Sequence, residues 1–380
     1  MRCLGLMSGT SADGVDAVLA DFRGSPNHPQ WELIRHVHSP YPEGLRHRVV
    51  SAGQGETGCA EQWLDLAEAI TEAQAKAARS CDPSGEAVLI GCHGQTVWHR
   101  PPTSRQRGAS WQLLQAPLLA QLLERPVVHD FRAADLALGG QGAPLVPRAD
   151  AALLGGTTGW RALLNLGGIA NLTLIPPCCG PERDAPVQGW DCGPANSLID
   201  LAVQQFSNGR LHFDRGGTMA KAGQSDETSI RRWLQEPYFQ SPPPKSTGRE
   251  LFGRANLQQR LNNLGQGCSN HDAVATLTSF SAAVVAQDLD QLMQRDQIRP
   301  LELIVAGGGR HNPVLMDQLQ RRCRGLQLSS SQEIGLPVEA REALVFALLA
   351  WWHQRNHPAN APSITGARRE AVLGVAVNPG

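Results

Sequence analysis

Three features of the chain predict an α/β fold built as two lobes. Strand-like and helix-like segments alternate along nearly the whole sequence. Two short hairpins with glycine in the turn, at 3–22 and 163–175, each stand at the head of such an alternation. At 380 residues the chain is also long enough for two domains.

Taken in order, residues 2–6 and 15–22 read as two strands joined by a turn, apolar on both faces and therefore central in a sheet. Residues 61–78 place Trp63, Leu64, Leu66, Ala67 and Ile70 at helical spacing. The apolar run 87–91 is a short buried strand leading into CHGQTVWH. A helix is expected at 113–123 and a strand at 126–129. DFRAADLALGGQGAPLVP (130–147) is too rich in Gly and Pro for regular structure, and 149–154 is a short helix. The second hairpin, 163–175, precedes helices at 196–206 and 274–293. A strand from 303 ends in the glycines 307–309, a helix starts at Pro313, and 339–352 is a long apolar helix. Segments 178–186 and 241–246 read as Pro-rich surface loops. The expected lobes are 1–145, completed by 356–380, and 146–355.

Composition excludes several classes. Lys and Arg number 34 against 35 Asp and Glu, so there is no electrostatic case for nucleic acid or an anionic membrane as partner. The longest apolar run, near 343–352, is too short for a membrane span. Met1-Arg2-Cys3-Leu4 leads straight into a strand without signal-peptide character. The nine cysteines are odd in number and scattered, without C-x-x-C, which predicts a reduced, cytoplasmic protein. Cys178, Cys179 and Cys192 lack zinc-ligand spacing and read as free buried thiols. The chain has no G-x-x-x-x-G-K-[ST], no G-x-G-x-x-G after a strand, no G-x-S-x-G and no protein-kinase signature.

The first turn, GTSADGVD (9–16), admits two readings. Asp13-Gly14 alone suffices for an ordinary hairpin. The full set of glycines, hydroxyls and acids is what a phosphate-binding turn needs: N–H groups and hydroxyls for the anion, and a carboxylate for water-bound Mg²⁺. Gly307 to Gly309 fit either a nucleotide loop or a tight strand-to-helix connection. Asp191, in WDCGPAN, has the chemistry of a proton acceptor for phosphoryl transfer and is expected on a loop. Its competing reading is a turn or helix-cap acid, although Asn196 could cap that helix itself.

Two Gly-turn hairpins heading two α/β halves resemble the actin/hexokinase/Hsp70 superfamily. That resemblance implies a ribonuclease H-like, actin-like ATPase fold with an ATP cleft between lobes. NLGGIAN, with Gly167, Gly168 and Asn171, would be the second phosphate loop, and Gly307 and Gly308 would lie at the adenosine. Along nearly the whole length the chain resembles the anhydro-N-acetylmuramic acid kinase family. The residues that carry this are GLMSGTSADGVDA, CHGQTVWH, DFRAADLALGGQGAPLVP, LLNLGGIANLT, DCGPANSLID, PPKSTGRELF, VAGGGRHNP and the EAL of REALVFALLAW.

The family resemblance implies an ATP-dependent kinase that opens 1,6-anhydro-N-acetylmuramic acid with water and phosphorylates O6. It implies ATP and Mg²⁺ as cofactors, a cytoplasmic place in cell-wall sugar recycling, and sugar and ATP as partners. A homodimer is compatible with it. Gly9, Thr10, Ser11, Ala12, Asp13, Gly14, Val15 and Asp16 would bind ATP phosphates, with Asp13 and Asp16 meeting Mg²⁺ through water. Asp191 would be the general base, and Glu342 a second acid near the sugar. His93, Gln95 and Thr96 would line the sugar site. Asp130 and Arg132 would form an ion pair or, through Arg132, meet the lactyl carboxylate. Lys245 and Arg249 are either loop charges or substrate contacts. The family's usual Thr and Gly are Cys192 and Ala195 here, which leaves any hydrogen bond from position 192 to a weak thiol donor.

Overall fold

The opening hairpin is the centre of a sheet, as its two-faced apolar pattern predicts. This is seen in a computed structural model that describes residues 1–9, 12–56, 58–243, 245–247, 251–265, 267–333 and 335–380. Strand β1 (Arg2–Ser8) pairs antiparallel with β2 (Gly14–Ser25), and β2 with β3 (His28–Pro40). On its other side β1 runs parallel to β4 (Leu89–Arg100), which carries the whole of CHGQTVWH. β5 (Ala109–Leu113) and β6 (Val127–His129) both pair with β4, and Val375–Val377 closes the far edge of this seven-stranded sheet.

The helix Val338–Gln354 packs on β1, β2 and β4. From Ala343 to Trp352 it is apolar all round because it is buried all round, Leu344 and Trp351 being wholly covered. Two glycines admit it. A Cβ on Gly5 would lie 1.8 Å from Ala343 O, and one on Gly91 2.0 Å from Phe346 O. No side chain fits there, so these glycines are set by packing.

The chain divides into two units, Met1–Gly156 with Leu336–Gly380, and Thr157–Gly335. The boundaries expected at 145/146 and 355/356 are therefore displaced. The helices Val146–Leu154 and Val338–Gln354 belong to the first unit, where Arg341 Nε donates to the buried Asp150 at 2.8 Å. Two local expectations also change. The helix expected at 113–123 is Ala116–Leu123, because Leu113 ends β5. Segment 130–147 is less irregular than its Gly and Pro suggest, since Ala133–Ala137 and Val146–Leu154 are helical. Buried Asp135 organises the rest, accepting from Gly142 N (2.8 Å), Asn360 Nδ2 (2.9 Å) and Thr365 Oγ1 (2.7 Å).

In the second unit β7 (Arg161–Leu166) and β8 (Ile169–Ile175) form the second hairpin, antiparallel as expected. β9 (Gln188–Pro194) pairs with β8, and β10 (Glu302–Ala306) runs parallel to β7 and to β11 (Gln327–Ser330). The order of this five-stranded sheet is β11-β10-β7-β8-β9. Asp191 thus lies on a strand and not on the expected loop. Its neighbours Gly193 and Pro194 look like a turn, but β9 is an edge strand, where Pro is tolerated. Gly193 is needed because a Cβ would come 2.8 Å from the Phe239 ring. The helix Asn270–Asp296 packs against β9, capped by Ser269 Oγ accepting from Asp272 N at 3.1 Å. Among the described residues no helix is long and apolar enough to cross a membrane.

Candidate active site

The first hairpin turn is held from below by buried polar side chains. Ser8 Oγ lies 2.8 Å from Gly14 O and 2.6 Å from Gln95 Oε1, while Gln95 Nε2 donates to Gly9 O at 3.1 Å. Ala12 N also donates to Gly9 O, at 3.2 Å. Gln95, expected to line the sugar site, is buried, and its bonds shape the turn. Gly14 is a packing glycine, since a Cβ would meet Ser39 O at 2.4 Å. Ala12 and Val15 bury their side chains, so only their backbones are available to a ligand. Thr10 and Ser11 lie outside the described residues.

Asp13 is exposed at the turn, which suits a carboxylate meeting Mg²⁺ through water. Asp16, on β2, places Oδ1 3.0 Å from His36 Nε2 and 3.1 Å from His38 Nδ1 on β3. That oxygen is thus engaged by both rings. Among the described residues no group of three or more His, Cys, Asp or Glu could hold a metal ion.

His93, on β4, has both ring nitrogens occupied, Nδ1 by Gly94 O at 3.0 Å and Nε2 by Arg132 Nη2 at 3.0 Å. Burial, aided by the Arg132 charge, pushes its pKa down to about 3. The ring is neutral, with Nδ1–H donating to the carbonyl and Nε2 accepting from the guanidinium. Arg132 also donates to Gly142 O at 2.7 Å, so the Asp135-organised loop and His93 fix it together. The ion pair expected with Asp130 is replaced by these bonds. Thr96 Oγ1 accepts from Gln112 Nε2 at 3.1 Å.

Glu342 stands one turn into the Val338–Gln354 helix with its side chain open to solvent. Surrounding protein crowds the carboxyl and raises it above the usual carboxylate value; Arg341 opposes the shift, and Asp150 and Asp16 add to it.

In the second unit the hairpin turn is fastened by backbone. Asn196 N donates to Gly167 O (3.1 Å), and Ala195 N and Ser197 N to Gly168 O (2.9 and 3.0 Å). Those carbonyls cap the helix Asn196–Phe206. Asn196 was considered as the capping side chain, but its Nδ2 reaches back to Leu166 O and Gly167 O at 3.0 and 2.8 Å.

Strand alternation on β9 puts Trp190 and Cys192 on the buried face and Asp191 on the other. Asp191 Oδ1 accepts from Asn171 Nδ2 at 2.8 Å, and Oδ2 from Ser246 Oγ and Thr247 N, both at 2.9 Å. Asn171, expected at ATP phosphates, uses its amide on β8 to orient Asp191 on the neighbouring β9. Lys245 is neither a solvated loop charge nor open to a ligand, because its ammonium meets buried Asp288 at 2.7 Å. Burial raises the Asp288 carboxyl, against the opposing Lys245 charge. Burial pushes the Cys192 thiol well up. Cys178 and Cys179, expected to be buried, are exposed. Arg249 lies outside the described residues.

Gly307 (φ 83°) leaves β10 so close to β7 that a Cβ would sit 2.6 Å from Asn165 Oδ1. Gly309 is similarly closed, by Leu166 Cβ at 2.7 Å, whereas a Cβ on Gly308 meets nothing within 4 Å. The fold requires two of these glycines and leaves open space around Gly308.

Ser246, Thr247, Tyr238, Asp288 and Asp135 carry much of this organisation and escaped sequence reasoning. PPKSTGRELF signalled the first two only as part of a motif.

A family model described as anhydro-N-acetylmuramic acid kinase matches residues 1–379. Curated relatives so named are 90% identical in Synechococcus sp. (strain CC9902), 70% in Synechococcus sp. (strain CC9605) and 57% in Prochlorococcus marinus (strain MIT 9211), each covering 100% of both chains. Among solved structures, xylulose kinase from Rhodospirillum rubrum aligns over 100% of this chain and 94% of its own, with TM-score 0.44 and 13% identity. A ROK family glucokinase from Streptomyces griseus covers 92% of this chain and 98% of its own, with TM-score 0.37 and 15% identity.

Proposed function

The chain belongs to the anhydro-N-acetylmuramic acid kinase family, and from that premise we propose that Asp191 is the general base of its reaction. The enzyme uses ATP to open 1,6-anhydro-N-acetylmuramic acid hydrolytically and phosphorylate O6, giving N-acetylmuramate 6-phosphate in murein sugar recycling.

In the substrate O6 is bonded to the anomeric carbon and carries no proton. It accepts phosphate only as that bond breaks. Water attacks the anomeric carbon and Asp191 takes its proton. The C1–O6 bond opens, and O6 attacks the γ-phosphorus while ADP leaves. The observation that carries this reading is the way the carboxylate is held. An ionised carboxylate offers about four acceptor sites. Asn171, Ser246 and Thr247 take three. Among the described residues no further donor meets Oδ1, which leaves one acceptor direction there for water.

Gly9 to Asp16 and the Gly167-Gly168 turn serve the phosphates, and Gly307-Gly308 the adenosine. Mg²⁺, held through water by Asp13 with Asp16 beside it, would neutralise phosphate charge. Arg132, kept charged and aimed by neutral His93, suits the lactyl carboxylate. Glu342 is the second acid, its raised carboxyl able to carry a proton near the sugar. The protein acts in the cytoplasm, and a homodimer is the assembly to test.

Turnover in ¹⁸O-labelled water tests the coupling. The label is expected on the anomeric hydroxyl of the sugar phosphate, read promptly against an exchange control. Label confined to inorganic phosphate would mean uncoupled ATP hydrolysis and would sink the reading.

A further inference from the structure

Two of the three donors on Asp191 come from residues 245–247, a stretch with no helix or strand of its own. Its anchor is Lys245. The Lys245 ammonium bonds Asp288 with the two side chains only 5% and 2% exposed, and it lies 5.2 Å from the centre of the Tyr238 ring. Asp288 accepts a second bond from Trp190 Nε1 at 2.9 Å. These two partners flank the base. Trp190 precedes Asp191 on β9, and Lys245 O accepts from Asp191 N at 3.0 Å. Tyr238 OH, under the ammonium, donates to Asp191 O at 2.7 Å.

Packing alone does not ask for an acid at position 288. Its helix neighbours Val284, Val285, Leu289 and Leu292 are buried and apolar. A buried ion pair is weak as a source of stability, but it imposes direction and distance on whatever it joins. Here it joins the helix Asn270–Asp296 to both sides of the reacting carboxylate.

We propose that Asp288 is a positioning residue for the water-activating step. Through Lys245 and Trp190 it fixes the Ser246 and Thr247 donors on Asp191 Oδ2, and thereby the direction of the proton-accepting lone pair on Oδ1. The inference rests on Asp191 being the base. The Asp288 side chain is only 2% exposed, so its loss should misaim the acid and leave ATP binding alone.

The test compares Asp288→Asn, the charge-free pair Lys245→Met with Asp288→Leu, Lys245→Arg and Ser246→Ala. Each is assayed for kcat, KM for ATP and melting temperature. A misplacement near 1 Å costs up to about 10²-fold in rate, so Asp288→Asn and the charge-free pair should lose about 10- to 100-fold in kcat. KM for ATP should stay within about twofold, because only the aim of the base changes. Lys245→Arg keeps a cation on Asp288 and should retain most of the rate. Ser246→Ala, at an exposed position, loses one aiming bond and should cost about threefold to tenfold, as one hydrogen bond does. Placed on Asp191→Asn, Asp288→Asn should change the residual rate by less than about twofold, since the two act as a unit.

If Asp288→Asn fails to fold, the charge-free pair and Ser246→Ala carry the test. A folded charge-free pair with wild-type kcat overturns the inference, as do fully additive losses on the Asp191→Asn background. Wild-type turnover by Asp191→Asn overturns the base assignment itself. Collapse of Asp191→Asn beside full turnover in the charge-free pair overturns only the role of Asp288.

Discussion

The two hairpins share a design and are held by different means. The turn between β1 and β2 is fixed by side chains, Ser8 and Gln95 reaching its carbonyl oxygens from beneath. The turn between β7 and β8 is fixed by the first amides of the helix that follows β9. Side-chain support can be deleted one atom group at a time, whereas backbone support persists under most substitutions. The first hairpin should therefore be fragile to mutation beneath it, and the second chiefly to mutations that force its neighbours apart. The acid also divides them: Asp191 is on the second unit's sheet, beside the backbone-held turn.

The largest effect should separate chemistry from turn support. Asp191→Asn removes the proton acceptor and should lower kcat about 10²- to 10⁴-fold, with ATP still binding in a calorimetric titration. Near-normal turnover would return Asp191 to a structural role and erase the asymmetry between units.

Next come the glycines beside the second hairpin. Gly307→Ala combines a left-handed φ with a 2.6 Å clash and should cost about 2–3 kcal/mol in denaturant unfolding. Gly308→Ala, with open space around it, should unfold like the parent but bind nucleotide more weakly. Equal stability of the two variants would break the distinction between fold glycine and ligand glycine.

Gln95→Ala should strip the first turn of its support and leave Gly9 O and Ser8 without their amide partner, at a cost of about 1–2 kcal/mol. Nucleotide affinity should fall with it. If Gln95→Ala binds ATP normally, the first turn is as self-supporting as the second.

The last effect is a slope. His93 titrates near 3 when folded and near 6.5 when unfolded, so between those values the unfolded chain binds the extra proton. Its contribution to stability is complete above 6.5 and declines as pH falls towards 3, by about 1.4 kcal/mol per pH unit. His93→Gln keeps an acceptor for Arg132 and should flatten the decline in chemical-denaturation midpoints between pH 6 and 4. An unchanged slope would mean that His93 is not neutral in the folded protein.

Most of the frame was legible because its signals are local. Both hairpins declare themselves by glycine between apolar runs, and the helix Asn196–Phe206 matches its expected span. β3 was missed because it is an edge strand whose polar residues alternate with half-buried ones. Asp191 was read as a loop residue because Gly193-Pro194 imitates a turn, and only edge position shows otherwise. The acid itself was legible from chemistry and family resemblance. Its supports were not, since Asp288 lies 98 residues from Trp190 and 43 from Lys245, and nothing in an apolar helix announces which acid will meet which amine. The division of the chain failed for a similar reason. Gly5 and Gly91 look like ordinary strand glycines until the helix that needs them is seen.

Those two glycines also set an order of manufacture. The sheet that begins at Arg2 lacks its covering helix until residues 338–354 have been translated, whereas Thr157–Gly335 is continuous and holds its own sheet. At about 5–20 residues per second the ribosome needs tens of seconds to close that interval. The unit whose synthesis starts first is thus completed last, after the whole of Thr157–Gly335 has been translated. During that time β1, β2 and β4 present the apolar surface that the helix will cover, and it is then that the nascent chain depends most on protection from aggregation.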